Sequence, residues 1–515
     1  MSNPKLGDMD SSLQSAIGQI LDAYAQKLGG VRPDWYLKKR PDGPYLVIEF
    51  VSPSEHHFGI HNSLVASLSD ENVFKERSTV QARRSSPKER LQLPETQWLK
   101  KVIAESLTID RNSFNDDFFS RYTASVTALE QQITANANFI VYGRRGSGKS
   151  SLLAYAMHTA IKNHAPFSWV AMQAYSKRSD HQVVPAVISA VLYELSQAIS
   201  VPGELDALIQ DFDSLSEGQG KGVLIKCDRL IQRTRRILGK IATVQFPLTI
   251  FLDDIHVIDS SIQPLVLSYI YKLTRGNNTF IKASGIEQLT TLWDSSGHVG
   301  LQAPNDTQIL NLDMNLTMPD KSRNHIVSIL DAHARYCGLA SISYLIGNEA
   351  ISRLVLSAAG VPRDSLNLFS IAISKANAKS QKMVSITSVN AASSEMVEEK
   401  LKDVYKDTDD AAGDIPKMLA EIKNFCVVEK RKNAFLIEIK NSNVRYKLVQ
   451  KLIALRLVHL IHVGITPGEA GKRFIALMLD YGFYVGIRAS RSVDFIPSEP
   501  RQLSAKELRS LPIFV

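Results

Sequence analysis

Phe139-Ile-Val-Tyr-Gly143-Arg-Arg-Gly-Ser-Gly-Lys149-Ser-Ser-Leu152 decides how the rest of this chain is read. An apolar run breaks into Gly143-x4-Gly148-Lys149-Ser150, and Leu152, Leu153, Ala154 and Ala156 follow at helical spacing, giving strand, glycine loop and helix in turn. Gly143, Gly146 and Gly148 allow torsions that a Cβ forbids. The amides of Gly143, Arg144, Arg145, Gly146, Ser147 and Gly148 can therefore turn inward around a β-phosphate. Lys149 can set its ammonium against the β- and γ-phosphates, and Ser150 can give its hydroxyl to Mg²⁺. Ser151 continues a helix whose N-terminal dipole favours an anion. The stretch is a phosphate-binding P-loop.

Some 100 residues further on, Phe246-Pro-Leu-Thr-Ile-Phe-Leu-Asp253-Asp254 reads as a buried strand ending in two carboxylates. Ligand sites in α/β sheets lie at the carboxyl ends of such strands. Asp253 is expected to hold Mg²⁺ through its water shell, and Asp254 to orient an attacking water. Apolar runs at 137–142, 167–175, 247–252, 279–284 and 307–312 alternate with helical patterns, which predicts a five-stranded parallel α/β sheet. Ser284 is the polar residue at the end of the fourth run.

At 515 residues, with 44% hydrophobic and 22% charged residues, the chain has the composition of a globular protein of two or three domains. Its longest apolar segments, 186–201 and 452–465, are broken by Glu194 and by Arg456, His459 and His462, so no membrane span is expected. The first residues lack the apolar core of a secretory signal, and three scattered cysteines fit a reducing compartment; a cytoplasmic protein is expected. The net charge is +8, and residues 414–515 alone hold 17 Lys and Arg against nine Asp and Glu. The basic excess thus sits in the last fifth of the chain, as in a module that meets polyphosphate or in a solvated basic surface.

Before the P-loop, residues 9–28 predict an amphipathic helix and Tyr45–Val51 a strand. Residues 69–102, polar and basic around Arg83, read as a linker or mobile arm. His56, His57 and His61 lack a zinc-like partner spacing and read as a surface cluster. Residues 115–135 are expected to form a helix leading into the first core strand, and 202–245 a polar helical insertion.

Beyond the sheet the chain turns helical. Met318–Leu330 starts a helix, Gly360-Val-Pro-Arg363 opens another, and Met383-Val-Ser-Ile-Thr-Ser-Val-Asn-Ala-Ala392 a further one. This succession resembles the helical lid of AAA+ P-loop ATPases, in particular the origin-recognition-type initiators. The resemblance implies ATP and Mg²⁺ as ligands, ATPase activity, Arg363 as a sensor-2 residue reaching the γ-phosphate, and Ser284 as the sensor-1 position. It also implies a C-terminal winged-helix-like α+β domain, in which Lys440, Arg445, Lys447, Lys451, Lys472 and Arg473 would contact DNA phosphates. The same fold could serve protein contacts. The expected division is 1–110 (an N-terminal extension for docking or oligomerisation), 111–315 (nucleotide-binding core), 316–400 (lid) and 401–515 (winged-helix-like).

Two departures from the family pattern bear on function. Asp254 stands where a Glu is usual, and 287–306 contain no Arg or Lys to act as a finger in trans, leaving Arg275 as a substitute. Both suit a slow, Mg²⁺-dependent ATPase acting as a conformational and oligomerisation switch that contacts DNA. The alternatives are a STAND-like signalling NTPase, or the ATPase subunit of a nuclease, transposition or anti-phage defence complex with an effector partner.

Overall fold

The computed structural model describes residues 10–83, 89–176, 178–198, 203–218, 222–312, 316–406, 413–440, 443–467, 472–485, 493–494, 496 and 498–515. Its N-terminal part is built from three strands, β1 (Asp34–Arg40), β2 (Gly43–Phe50) and β3 (Ser78–Ala82), with β1 antiparallel and β3 parallel to the central β2. Three helices accompany them, α1 (Ser11–Lys27), α2 (Glu55–Ser67) and α3 (Pro94–Leu107).

The expected linker over 69–102 is therefore corrected: it supplies β3 and most of α3. Its basic run hid a helical stripe in which Trp98, Leu99, Val102 and Ile103 are buried while Lys101 and Glu105 are exposed. Residues 84–88 lie outside the described residues. The histidine cluster is likewise not a surface feature. His57 and His61 are buried; Tyr24 Oη lies 2.9 Å from His61 Nδ1, and Ser54 N donates to His57 Nδ1 over 3.1 Å.

Four helices, Pro319–Tyr336, Asn348–Ser357, Pro362–Ala378 and Ile386–Lys406, form the lid. One hydrophobic core joins it to the N-terminal part, with Ile20, Tyr24, Ile48, Leu99 and Ile103 packed in the same cluster as Ile326, Leu354, Phe369 and Ala372. Residues 10–107 and the lid helices thus share one core.

The central sheet comprises β4 (Phe139–Tyr142), β5 (Phe167–Ala171), β6 (Leu248–Asp253), β7 (Thr279–Gly285) and, beyond a two-residue hairpin of β8 (Trp293–Asp294) and β9 (Val299–Gly300), β10 (Gln308–Asn311). Its order is β10–β4–β7–β6–β5 and every pairing is parallel. Successive side chains point to opposite faces, so Ile140, Tyr142, Ile250 and Leu252 pack on one side of the sheet, and Phe139, Val141 and Phe251 on the other. The first side is covered by Val183–Ala198 and by the expected helical insertion, Glu204–Glu217 and Val223–Ile241; the second by the P-loop helix, Lys149–Lys162. β5 stops at Ala171, four residues before the expected end. The helix expected over 115–135 is two short ones, Asp116–Ser120 and Leu129–Ile133. Asn115 caps the first, and Glu130 ties back the intervening backbone by accepting from Ser125 N and Oγ, both at 2.7 Å.

The C-terminal α+β domain has a three-stranded antiparallel sheet in the order β11–β13–β12, from β11 (Ala434–Glu438), β12 (Val458–Ile465) and β13 (Phe474–Leu479). Helices Asp414–Lys423 and Val444–Ala454 pack on it, and the second lies between β11 and β12. β12 and β13 are adjacent antiparallel strands, and residues 468–471 between them lie outside the described residues. β13 ends at Leu479, where Asp480 caps a 3₁₀ turn over Tyr481–Phe483. The domain's core takes in Leu316, Leu356 and Ala359 of the lid. Among the described residues, no helix is long and apolar enough to cross a membrane.

Candidate nucleotide site

The P-loop joins β4 to its helix at the carboxyl end of the sheet. Gly146 and Gly148 take φ of +77° and +98°, torsions that turn their amides into the loop. Ser150 Oγ donates to Asp253 Oδ1 over 3.1 Å, and Ser284 Oγ donates to the same oxygen over 2.6 Å while accepting from Asp254 N at 2.8 Å. One serine on β7 thereby fixes both carboxylate residues at the end of β6. Asp254 sits in the left-handed region, φ 60° and ψ 50°, which swings its carboxylate away from the strand line to lie 3.7 Å from Lys149 Nζ. Lys149 Nζ also donates to Arg144 O over 3.4 Å.

Lys149, Ser150, Asp254 and Arg363 line one cavity of about 460 Å³ together with Arg145, Gly146, Ser147, Gly148 and Ser151. Arg363 comes from the lid. Its backbone N donates to Gly146 O at 3.2 Å, so the lid helix starts directly on the P-loop.

Five expected residues stand away from the cavity, among them Gly143, whose N donates to Gly285 O over 3.3 Å. Ser284 and Asp253 are turned to each other and do not line the cavity. The Ser284 hydroxyl contacts Asp253 and the Asp254 amide. Arg144 presents its carbonyl to Lys149, but its guanidinium is buried away from the cavity, against Ala359 O and His459. Arg275 is exposed beyond the helix Gln263–Thr274, ahead of the amino end of β7, whereas the P-loop lies at the carboxyl end of the sheet. Residues 287–306, which hold no Lys or Arg, fold as a 3₁₀ turn and the β8/β9 hairpin.

Burial, with Asp254 beside it, pushes the Asp253 carboxyl up to about 6 against the hydrogen bonds from Ser284 and Ser150. A carboxylate in that position gains from a cation next to it. His256, missed in the sequence, also lines the cavity; burial lowers its pKa to about 4, so a neutral imidazole stands 3.7 Å from Asp254 Oδ1. The far end of the cavity is apolar and aromatic, walled by Ile109, Phe118, Tyr122, Ile329 and Leu366 with His325. The aromatic run Phe118-Phe119-Ser-Arg-Tyr122 was the signal for it, but its helical appearance concealed the turn that aims Tyr122. Tyr122 Oη donates to Glu130 Oε1 at 2.7 Å. Of the candidate phosphate contacts in the C-terminal domain, Lys440, Lys447, Lys451, Lys472 and Arg473 are exposed, and Arg445 pairs with Glu421.

A cavity with a glycine cradle and a cation at one end and flat apolar walls at the other fits a nucleoside triphosphate. Ser147 Oγ is buried in the cradle with no hydrogen-bond partner, an unmet polar atom where phosphate oxygens would lie. The oxygens of Ser150 and Asp253 form a hard donor pair of the kind Mg²⁺ takes.

Residues 123–281 match the AAA ATPase domain family. That stretch holds the P-loop and both carboxylates at the end of β6. No curated protein matches the chain. Among solved structures it is similar to the Orc1 protein of Aeropyrum pernix in complex with DNA, at 15% identity over 72% of this chain and 93% of that one, TM-score 0.39. It is also similar to Drosophila ORC bound to DNA (12%, 84% and 99%, 0.35) and to Cdc6p of Pyrobaculum aerophilum (14%, 71% and 93%, 0.35).

Proposed function

We propose that the protein is an ATP-dependent switch: a slow, Mg²⁺-dependent ATPase whose bound nucleotide governs lid position, self-association and DNA contact by the basic C-terminal domain. The observation that carries this is the meeting of Lys149, Asp254 and the lid residue Arg363 around one cavity. Lys149 and the amides of 145–148 hold the phosphates, and Arg363 brings a fixed positive charge to the γ-phosphate from the lid. Ser150 and Asp253 would hold Mg²⁺, which when bound neutralises charge on the β- and γ-phosphates. Asp254 orients water for attack, and the neutral His256 beside it adds no competing positive charge.

Slow turnover is supported by two features. Asp254 is one methylene shorter than Glu and already faces Lys149 at 3.7 Å, and 287–306 offer no finger to a neighbouring copy. The DNA reading rests on the exposed lysines of the C-terminal domain. A STAND-like signalling switch is the second reading, favoured by the burial of Arg144 against His459 of the C-terminal domain, which suits a domain held rather than swung freely; an effector or nuclease partner would then take the place of DNA. ATP hydrolysis measured with and without duplex DNA over a salt series tests the choice. DNA stimulation that falls steeply with salt supports the first reading, and turnover indifferent to DNA removes it.

A further inference from the structure

The C-terminal domain meets the P-loop through buried charge rather than through apolar packing alone. Arg144 is 3% exposed, and its two terminal nitrogens face different modules. Nη2 donates to Ala359 O of the lid at 3.3 Å, and Nη1 lies 3.4 Å from His459 Nδ1 on β12. The far nitrogen of the same ring, Nε2, is 3.0 Å from Asp480 Oδ2. The neighbours assign the tautomer: Nδ1 accepts from Arg144 and Nε2–H donates to Asp480.

Lys400, on the last lid helix, reaches that same Asp480 oxygen at 2.8 Å and Asp364 Oδ2 at 3.1 Å. Arg456, at the end of the turn before β12, pairs with the other oxygen of Asp364. Asp364 directly follows Arg363. One unbroken chain of contacts therefore runs from the phosphate loop, through His459 and Asp480 of the C-terminal domain and Lys400 of the lid, to the base of the arginine that reaches into the cavity. Lys400, Asp364, Asp480 and His459 are all at most 6% exposed.

We propose that this buried cluster is the coupling element of the nucleotide site: Asp480, His459 and Lys400 position the P-loop through Arg144 and the sensor-2 arginine through Asp364, so that nucleotide binding and the seating of the C-terminal domain depend on one another. The inference rests on the ATP reading of the site. Buried charges tolerate few geometries, because a carboxylate or guanidinium that loses its partner there is left desolvated. The cluster is thus satisfied only when loop, lid and domain are together, and a disturbance of the loop carries to the domain without long-range motion. Arg144 suits the task because its carbonyl faces Lys149 while its side chain faces the domain.

The test uses the full chain and Mg²⁺-ATP. His459→Gln and Asp480→Asn nearly keep size while removing the ring and the charge, and the Asn amide can accept at only one of the two Asp480 oxygen positions. Each is expected to weaken ATP binding about tenfold, with kcat much less affected, a size typical of coupling between sites. Hydrogen exchange is the second readout: ATP slows exchange in β12 and β13 of the unmodified protein, and the variants lose that protection. Because Asp480→Asn alone could impair folding, the cycle of Arg144→Met, His459→Gln and their double variant decides the matter. A double variant no weaker than the worse single supports the proposal. Multiplying effects, or single variants that bind ATP and protect β12 as the unmodified protein does, overturn it. If the unmodified protein binds no ATP, it is the reading of the site that fails, not the coupling alone.

Discussion

Gly146 and Arg363 touch through their backbones: Arg363 N donates to Gly146 O over 3.2 Å, and a Cβ on Gly146 would stand 2.6 Å from Arg363 Cβ. The P-loop glycine therefore serves two surfaces, the phosphate cradle on one side and the start of the lid helix on the other. Gly146→Ala is expected to force the lid away from the loop as well as strain a residue held at φ +77°. The strain costs about 1–3 kcal/mol, readable by chemical denaturation. ATP affinity should fall further than that of a variant that only removes a cradle hydroxyl, Ser147→Ala, by fluorescence titration. Equal affinities for the two variants would remove the lid from the account.

Asp254 allows a clean separation of charge from backbone. Asn tolerates the left-handed region nearly as well as any non-glycine residue, so Asp254→Asn should keep the turn at φ 60° while abolishing the base. Phosphate release is expected to drop roughly 100-fold or more, with ATP affinity unchanged or improved, since the carboxylate facing Lys149 at 3.7 Å is neutralised. Lys149→Ala, by contrast, should lose ATP binding itself.

The motif-bearing parts of the site were legible because each needs particular atoms at a particular spacing: the glycines and Lys149 in the loop, the paired carboxylates at a strand end, Arg363 after Gly360. Sheet membership was legible for the same reason, since buried parallel strands must be unbroken apolar runs. What escaped was everything decided by a distant partner. Arg144 looks like any loop residue until His459 is beside it, 315 positions later. Ser284 gives no sign in the sequence that its hydroxyl joins Asp253. Residues 69–102 looked like a linker because their charges outnumber the four apolar side chains that bury α3 against the lid.

That last contact sets a prediction about the N-terminal part. Trp98 is 3% exposed and shares the lid's core, so Trp98→Ala should cost about 3–5 kcal/mol. The loss is expected to appear as weakened ATP binding before global unfolding, because the helix bearing Arg363 belongs to the same core. A variant chain starting after residue 110 should not fold its lid, whereas a detachable docking module would leave ATP turnover intact.

Buried histidines, His57 and His333 among them, make stability depend on pH. Burial lowers both His57 and His333 to about 4, below the ordinary value of about 6.5. The unfolded chain therefore takes up protons first as pH falls, and the folded state loses stability from pH 6.5 down to about 4, where the folded rings also protonate. The contribution is on the order of 1–3 kcal/mol per ring. Urea midpoints at pH 7.5, 6 and 5 should decline in that order, and His57→Gln should flatten the decline. A midpoint constant across this range would contradict the burial of both rings.

The DNA reading is tested better by charge than by deletion. The core of the C-terminal domain includes Leu316, Leu356 and Ala359 of the lid, so removing 414–515 would strip apolar cover from the ATPase itself and confuse lost DNA contact with lost structure. Lys447→Glu with Lys451→Glu, on the exposed face of the helix Val444–Ala454, and Lys472→Glu with Arg473→Glu, beside β13, leave that core untouched. If these side chains meet phosphates, each lost contact lowers the slope of log affinity against log salt by about 0.9. The four substitutions together should then flatten the salt dependence by more than three while ATP affinity stays as it was. DNA binding that keeps its slope would move the nucleic-acid contact off this domain and leave its basic face to a protein partner.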